Sequence, residues 1–225
     1  MSSVVYLYAL ADDEPAGSLG EGVAGEPLRL TRHSGIAAVV GDVGSRPRPE
    51  RETLLRQDAV VRRLADLFGA LLPARFGEAF ADEAALAERI SSRAAELASS
   101  LALVHGCVQM TLRVFGDPEA ASEIEAGVQG GPGVRYLEAR RRERERARSL
   151  PEIDALREAL RPLLRAERIE RHDAGQLVGT AYHLVPRDET GTYLAVLKKA
   201  EEIGGRRVAA SGPWPPYAFA PETSS

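Results

Sequence analysis

Val4-Val-Tyr-Leu-Tyr-Ala-Leu10 is apolar or aromatic at every position. Successive side chains of a strand point to opposite faces, so a run apolar at both parities offers no face to water. Its β-branched, aromatic and aliphatic residues fit a pleated surface. The chain must therefore build a sheet around this segment, with Val4 to Leu10 as a buried central strand. A loop rich in Gly, Asp, Glu and Pro follows from Asp12 to Pro27. Two shorter strands are predicted next, Leu28 to His33 and Gly35 to Val43, parted by the turn-like pair Ser34-Gly35.

After the breaker Gly44-Ser-Arg-Pro-Arg-Pro-Glu50 the period changes. Leu54, Leu55, Val60, Val61, Leu64, Leu67, Phe68, Leu71 and Leu72 recur at 3/4 spacing among arginines and acids, the mark of an amphipathic helix. Asp82 is a suitable N-cap for a second helix, with Leu86, Ile90, Ala94, Leu97, Leu101 and Val104 on one stripe. The first half is thus an α+β domain of three strands and two long helices, residues 1–104.

The second half, residues 105–225, opens at His105-Gly106. Val108, Met110, Leu112 and Val114 alternate with Cys107, Gln109, Thr111 and Arg113, the period of a half-buried strand. Gly116 to Gly133 is a loop, and Tyr136 to Arg148 a helix covered in charge. Ser149-Leu-Pro-Glu152 has capping-box spacing, and Ile153, Leu156, Leu160, Leu163 and Leu164 then share a helical face. Ile169 to Asp173 fits a short edge strand and Gly179 to Val185 a better one. Thr190 or Thr192 caps a helix bearing Tyr193, Val196, Leu197, Ala200 and Ile203, stopped by Gly204-Gly205. Arg207 to Ser211 is the last strand. The order strand–helix–strand–strand–helix–strand is that of a ferredoxin-like βαββαβ unit, helices on one face of an antiparallel sheet.

Composition narrows the classes of function. With 44% hydrophobic and 28% charged residues the 225-residue chain has the profile of a soluble globular protein. A net charge of −4 argues against a bulk nucleic-acid binder. The single cysteine, Cys107, allows no internal disulfide and no Cys-based zinc cluster, as expected in a reducing cytosol. No basic–apolar signal peptide opens the chain, and no apolar run nears the ~18 residues of a membrane span. The expected location is cytoplasmic.

Catalytic constellations are sparse. His33, His105, His172 and His183 show no metal-ligand spacing, and His172-Asp173 falls in a turn. No P-loop, Gly-x-Gly-x-x-Gly or nucleophile elbow is present. Gly130-Gly-Pro-Gly133 lacks a strand leading into it, and Pro132 removes an amide donor, so it is a linker. Glutamates at 138, 143 and 145 dilute the basic run Arg140 to Arg148, which lacks interleaved aromatics and suits a solvated helix face. No catalytic residue, metal or cofactor is assigned. In Leu72-Pro-Ala-Arg-Phe-Gly77 a proline stops the helix and a glycine permits a tight turn, leaving Phe76 to pack inward and Arg75 able to meet a carboxylate.

Ser211-Gly-Pro-Trp-Pro-Pro-Tyr-Ala-Phe-Ala220 concentrates three prolines, the only tryptophan, a tyrosine and a phenylalanine. A disordered tail is poor in aromatics, and proline extends the residue before it. The segment is expected to lie extended across the domain surface as a clasp that buries Trp214 and Tyr217 and closes the second domain.

Val4 to Leu10, the Pro-x-Arg-Phe-Gly turn, Gly133-Val-Arg-Tyr-Leu137 and the closing Gly-Pro-Trp-Pro-Pro-Tyr-x-Phe, in this order from about residue 4 to residue 220, resemble the gas vesicle protein family GvpL/GvpF. The resemblance implies a two-domain α+β protein whose second domain is a modified ferredoxin-like fold. It implies a non-enzymatic accessory role in building gas vesicles, as a minor component or a binder of the hydrophobic shell protein GvpA, in association with other accessory Gvp proteins. Arg75, Phe76, Gly77, Pro213, Trp214, Pro215, Pro216, Tyr217 and Phe219 then form either a partner-binding surface or a structural clasp. A ligand-sensing regulator or adaptor is the alternative; an enzyme needs a cluster around His105, Cys107 or His183.

Overall fold

The opening run forms β1 (Val4–Ala11), seven of whose eight residues are buried in this computed structural model, which describes residues 3–12, 14–116, 150, 153–172, 175–201 and 208–221. β1 pairs antiparallel with β3 (Ile36–Val43), which pairs in turn with β2 (Leu28–His33). Its other edge pairs antiparallel with two short strands, β4 (Leu71–Pro73) and β5 (Ala79–Phe80). A register shift between Leu7 and Ala9 keeps Tyr6, Tyr8, Ala9 and Ala11 together in one core with helix α1 (Arg51–Ala65). On the opposite parity, Leu7 and Leu10 line a space shared with Leu97 of α3 (Ala94–Val104). Both faces of the central strand are covered, as its composition requires.

Two features differ from the pattern in the sequence. α1 stops at Ala65, and Leu71 and Leu72, which continue its 3/4 spacing, belong to β4 instead. The helix closes when the Asp66 N–H turns to Arg62 and Arg63 carbonyls, and Gly69 and Ala70 lead into pairing with β1. The second long helix is two, α2 (Glu83–Ser91) and α3. Asp82 caps α2 through its side chain, which accepts from the Ala85 N–H, but Arg93 leaves the helical region at φ −125°, ψ 15°. There its guanidinium grips Glu96 at 2.9 Å and 3.0 Å. The first half therefore holds five strands and three helices among the described residues.

Two buried tyrosines organise this sheet. Their rings meet edge to face with centroids 5.0 Å apart. The Tyr6 hydroxyl donates to Gln57 of α1 and accepts from the Gly77 N–H at 2.9 Å. The Tyr8 hydroxyl donates to Glu26 and accepts from the Val23 N–H at 2.8 Å, pinning the loop before β2. Burial pushes both phenols above the usual tyrosine range, and the Glu26 carboxylate raises Tyr8 further. Glu26 fits only because Gly22 and Gly41 carry no side chain; a Cβ on Gly41 would lie 2.7 Å from the Glu26 Cγ. Gly41→Ala is expected to dislodge Glu26 and cost about 1–3 kcal/mol, read as a lower urea midpoint; an unchanged midpoint removes Glu26 from the network.

A second sheet has the order β7-β8-β6-β9, made of β6 (Cys107–Phe115), β7 (Ala166–Arg171), β8 (Leu177–Pro186) and β9 (Val208–Trp214). β7 and β8 form an antiparallel hairpin. α4 (Asp154–Leu160) precedes β7, and α5 (Thr190–Glu201) follows β8. α4 is shorter than the apolar spacing predicts, because Pro162 cannot extend its hydrogen-bond ladder and Arg161–Leu163 tighten into a 3₁₀ turn. β6 is not half-buried: Gln109 and Thr111, on its polar parity, are also buried, and Gln109 Nε2 donates to Thr111 Oγ1 at 3.2 Å. Leu112, Leu160, Val185 and Tyr193 anchor the core. The charged helix expected over residues 136–148, the capping residues Ser149 and Glu152, the Gly-Gly-Pro-Gly linker and the Gly-Gly stop at 204–205 lie outside the described residues.

The mixed α and β chain thus carries two sheets whose assigned pairings are antiparallel, and it divides into two compact units. One comprises residues 1–108 with 214–225 and the other residues 109–213. Of the terminal segment, residues 211–213 group with the second unit and residues from Trp214 onward with the first.

Candidate functional site

α1 presents Asp58 and Arg62 one turn apart, and Arg62 Nε donates to Asp58 Oδ2 at 2.7 Å. The indole of Trp214 lies under this guanidinium, 4.1 Å from it to the ring centroid, a cation–π contact. Tyr217 donates its hydroxyl to the other Asp58 oxygen at 3.1 Å. Between the two aromatics, Pro215 and Pro216 are buried. Tyr217 remains 39% exposed as a residue. Its phenol is nevertheless pushed above the usual range, by desolvation first and by the Asp58 charge second.

The segment curls where the sequence predicts extension. Pro216 sits at φ −77°, ψ 57°, the inverse γ-turn, and the Tyr217 N–H reaches the Pro215 carbonyl at 2.7 Å. Tyr217–Phe219 then make one 3₁₀ turn, with the Phe219 N–H on the Pro216 carbonyl at 3.0 Å. Pro213 is exposed, Trp214 and Phe219 half-buried. The turn brings Ala220 and Pro221 against the sheet, where they line a cavity with Leu7, Leu72, Pro73 and Ala74. At about 10 Å³ it has room for no more than a water.

Arg75, Phe76 and Gly77 form a loop thrown out of the sheet edge. Ala74 N–H still bonds the Tyr8 carbonyl at 2.9 Å, and Leu7 N–H bonds the Glu78 carbonyl at 2.9 Å. β4 and β5 are therefore one interrupted edge strand, and residues 75–77 are its excess. The Glu78 N–H closes a turn on the Arg75 carbonyl at 3.2 Å, with Gly77 at φ +82°, a conformation that disfavours any Cβ. Such a bulge blunts an edge that would otherwise invite pairing. Arg75 is exposed and Phe76 half-buried. The residues bordering the bulge, Pro73, Ala74 and Glu78, share the small cavity with the terminal segment; the three bulged residues do not line it.

A second cluster is not evident from the sequence, which singles out His183 and places Tyr193 on a helix without joining them. Glu167 of β7 and His183 of β8 are direct cross-strand partners. The fully buried His183 has Nε2 3.1 Å from Glu167 Oε1 and Nδ1 2.7 Å from the hydroxyl of the equally buried Tyr193 on α5. With a proton on Nε2 the ring donates to the Glu167 carboxylate, while its Nδ1 faces the Tyr193 hydroxyl. Arg157 of α4 grips the same carboxylate with two nitrogens, at 2.9 Å and 2.6 Å. Hydrogen bonds from His183 and from Arg157 hold the Glu167 carboxyl at about 2, well below its usual 4.5. Burial foremost, and then the Glu167 charge, push the Tyr193 phenol up.

The other histidines have local roles. His105 Nδ1 lies 3.0 Å from Asp12, His33 Nε2 3.0 Å from Thr31, and His172 Nε2 3.0 Å from Thr180. Cys107 is buried. Among the described residues, no three His, Cys, Asp or Glu side chains gather to hold a metal, and no helix is long and apolar enough to cross a membrane.

Residues 4–221 match the family described as gas vesicle synthesis protein GvpL/GvpF. Gas vesicle protein L2 of Halobacterium salinarum is 27% identical, with 96% of this chain and 91% of the relative aligned. Gas vesicle protein F of a Streptomyces species is 25% identical, over 97% and 99%. The crystal structures of GvpF from Anabaena and from Microcystis aeruginosa each superpose with a TM-score of 0.74 at 17% identity, covering at least 97% of every chain compared. They share the fold.

Proposed function

The chain belongs to the GvpL/GvpF family of gas vesicle synthesis proteins, and on that premise we propose that it is a non-enzymatic accessory protein that holds the apolar shell protein GvpA during nucleation and assembly of the vesicle. The observation that carries this reading is the match along residues 4–221, which includes both the edge bulge and the terminal segment. A subunit meant to line a gas space exposes apolar surface before it is built in, and such surface aggregates unless another protein covers it. A carrier for it needs a rigid body of its own and no chemistry.

We read the second unit as a ferredoxin-like domain. The strand order β7-β8-β6-β9 and the sequence β6–α4–β7–β8–α5–β9 support that reading. We assign Trp214, Pro215, Pro216 and Tyr217 to a clasp on α1, and Arg75, Phe76 and Gly77 to an edge guard. The ladder from Trp214 through Arg62 and Asp58 to Tyr217 supports the first assignment.

The test is co-expression of GvpA with this chain, followed by sedimentation. GvpA is expected to move from the pellet to the supernatant in a complex with the chain, and Trp214→Ala, once shown to be folded, is expected to retain that complex. GvpA that pellets equally with and without the chain overturns the carrier reading. A folded Trp214→Ala variant that loses GvpA moves the clasp residues to the interface.

A further inference from the structure

α1 is buried along Gln57, Val60, Val61, Leu64 and Ala65. Leu54 and Leu55, in its first turns, do not join that stripe: they are 43% and 60% exposed. Asp58 follows Leu54 by one turn, and Tyr217 is bound to Asp58 with 39% of its own surface in water. Three of the five exposed large hydrophobic residues among the described ones thus gather at one place. A soluble protein gains nothing by ordering leucines in water, so a cluster of this kind marks a contact surface.

Its charge is distinctive. Residues 46–56 hold four arginines and two glutamates, within a chain whose net charge is −4. Glu52 is engaged by Arg56 at 2.7 Å, and Asp58 by Arg62. Arg51, one turn before Leu54 and Leu55, is exposed and has no ion-pair partner among the described residues; the same is true of Arg48. Glu50, between them, is exposed and likewise has no ion-pair partner among the described residues, so Arg48 and Arg51 leave one net positive charge beside the leucine pair, which fits a partner that is apolar at its centre and acidic at its rim.

The backbone narrows the partner further. The surface lies on a helix, whose N–H and C=O groups bond one another, so it has no ladder to offer an added strand. Affinity must come from side chains, and the partner must already have its own backbone satisfied. We propose that the outer face of α1 at Arg51, Leu54 and Leu55, with Tyr217 at its border, is a docking surface for an amphipathic helix with an acidic rim. This deepens the carrier reading, on which it rests only for the identity of the protein that supplies the helix; helix-on-helix docking follows the i, i+3, i+4 anchor pattern.

The probes are two fluorescent helical peptides with leucines at i, i+3, i+4 spacing, one flanked by glutamates and the other by lysines, titrated into the full chain by anisotropy. The acidic peptide is expected to bind at least tenfold more tightly than the basic one. Leu54→Ser with Leu55→Ser is expected to weaken it by roughly tenfold or more, and Arg51→Glu to erase the preference for acid. Leu194→Ser, on α5 and 45% exposed, is the control and should change nothing. If the leucine variant shifts the urea midpoint, Arg51→Glu decides the matter, since it leaves the leucines in place. Equal binding of the two peptides, or a preference that survives Arg51→Glu, overturns the docking surface. Sedimentation with GvpA is run beside it: GvpA held in solution without peptide discrimination sinks this surface alone, and discrimination without GvpA binding sinks the carrier reading alone.

Discussion

Trp214→Ala is expected to lower the stability of the first unit by about 2–3 kcal/mol and to open the last residues to protease. The Asp58–Arg62 pair is a surface ion pair, with side chains 36% and 46% exposed, and contributes little by itself. The cation–π contact is worth roughly 0.5–1 kcal/mol at an exposed site. Most of the effect comes from the half-buried indole and the two prolines it brackets. Ordering residues 214–221 costs on the order of 1 kcal/mol each, less at the prolines, so the segment stays docked by a narrow margin and one anchor decides it. Urea unfolding by far-UV circular dichroism measures the loss, and limited proteolysis from the C-terminus measures the release. Wild-type chain offers an independent check, because Trp214 is the only tryptophan. Its fluorescence should change at the same urea concentration as the ellipticity. A fluorescence transition that comes first means that the segment is loosely attached and the clasp assignment fails.

That contact was half legible. Aromatics between prolines announce a segment that must be buried somewhere, and the spacing of α1 announces its apolar stripe. Neither reveals that Tyr217 finds Asp58 across 159 residues, because the polar side of an amphipathic helix looks the same whether or not something lies on it. Strands β1, β2 and β3 were readable for the opposite reason, since six to eight residues suffice to display their patterns. β4 and β5, with three residues and two, are too short to show a period of two. Leu71 and Leu72 even extend the helical spacing beyond Phe68, and only pairing with β1 overrides it. The break between α2 and α3 carries no glycine or proline, so no local signal marked it. The His183 cluster needed register: once Glu167 is known to face His183, the Arg157 and Tyr193 of the two helices on that face follow.

Acid should weaken the second unit through that cluster. The Glu167 carboxyl lies at about 2 in the folded chain against the usual 4.5. A depressed carboxyl stabilises the fold above its unfolded value and ceases to do so as pH falls toward the folded one. The window is therefore pH 4.5 to 2, and the shift corresponds to about 3 kcal/mol, with Glu167 only 22% exposed and lightly screened. Glu167→Gln should cost a similar amount at pH 6, because the amide keeps the shape but cannot accept the paired guanidinium as a charge. The two chains should then converge as pH drops through the window, since wild type loses there what the variant never had. His183→Leu should be costly at every pH, because it strands the Tyr193 hydroxyl in the core without a partner. Urea midpoints at pH 6, 4 and 2.5 for the three chains separate these outcomes. Parallel curves for wild type and Glu167→Gln would show that the carboxylate is not what ties β7 and β8 to α4. The strong partners of Glu167 would then have to offset the cost of holding its charge out of water, leaving an ion pair that specifies where α4 docks without stabilising it.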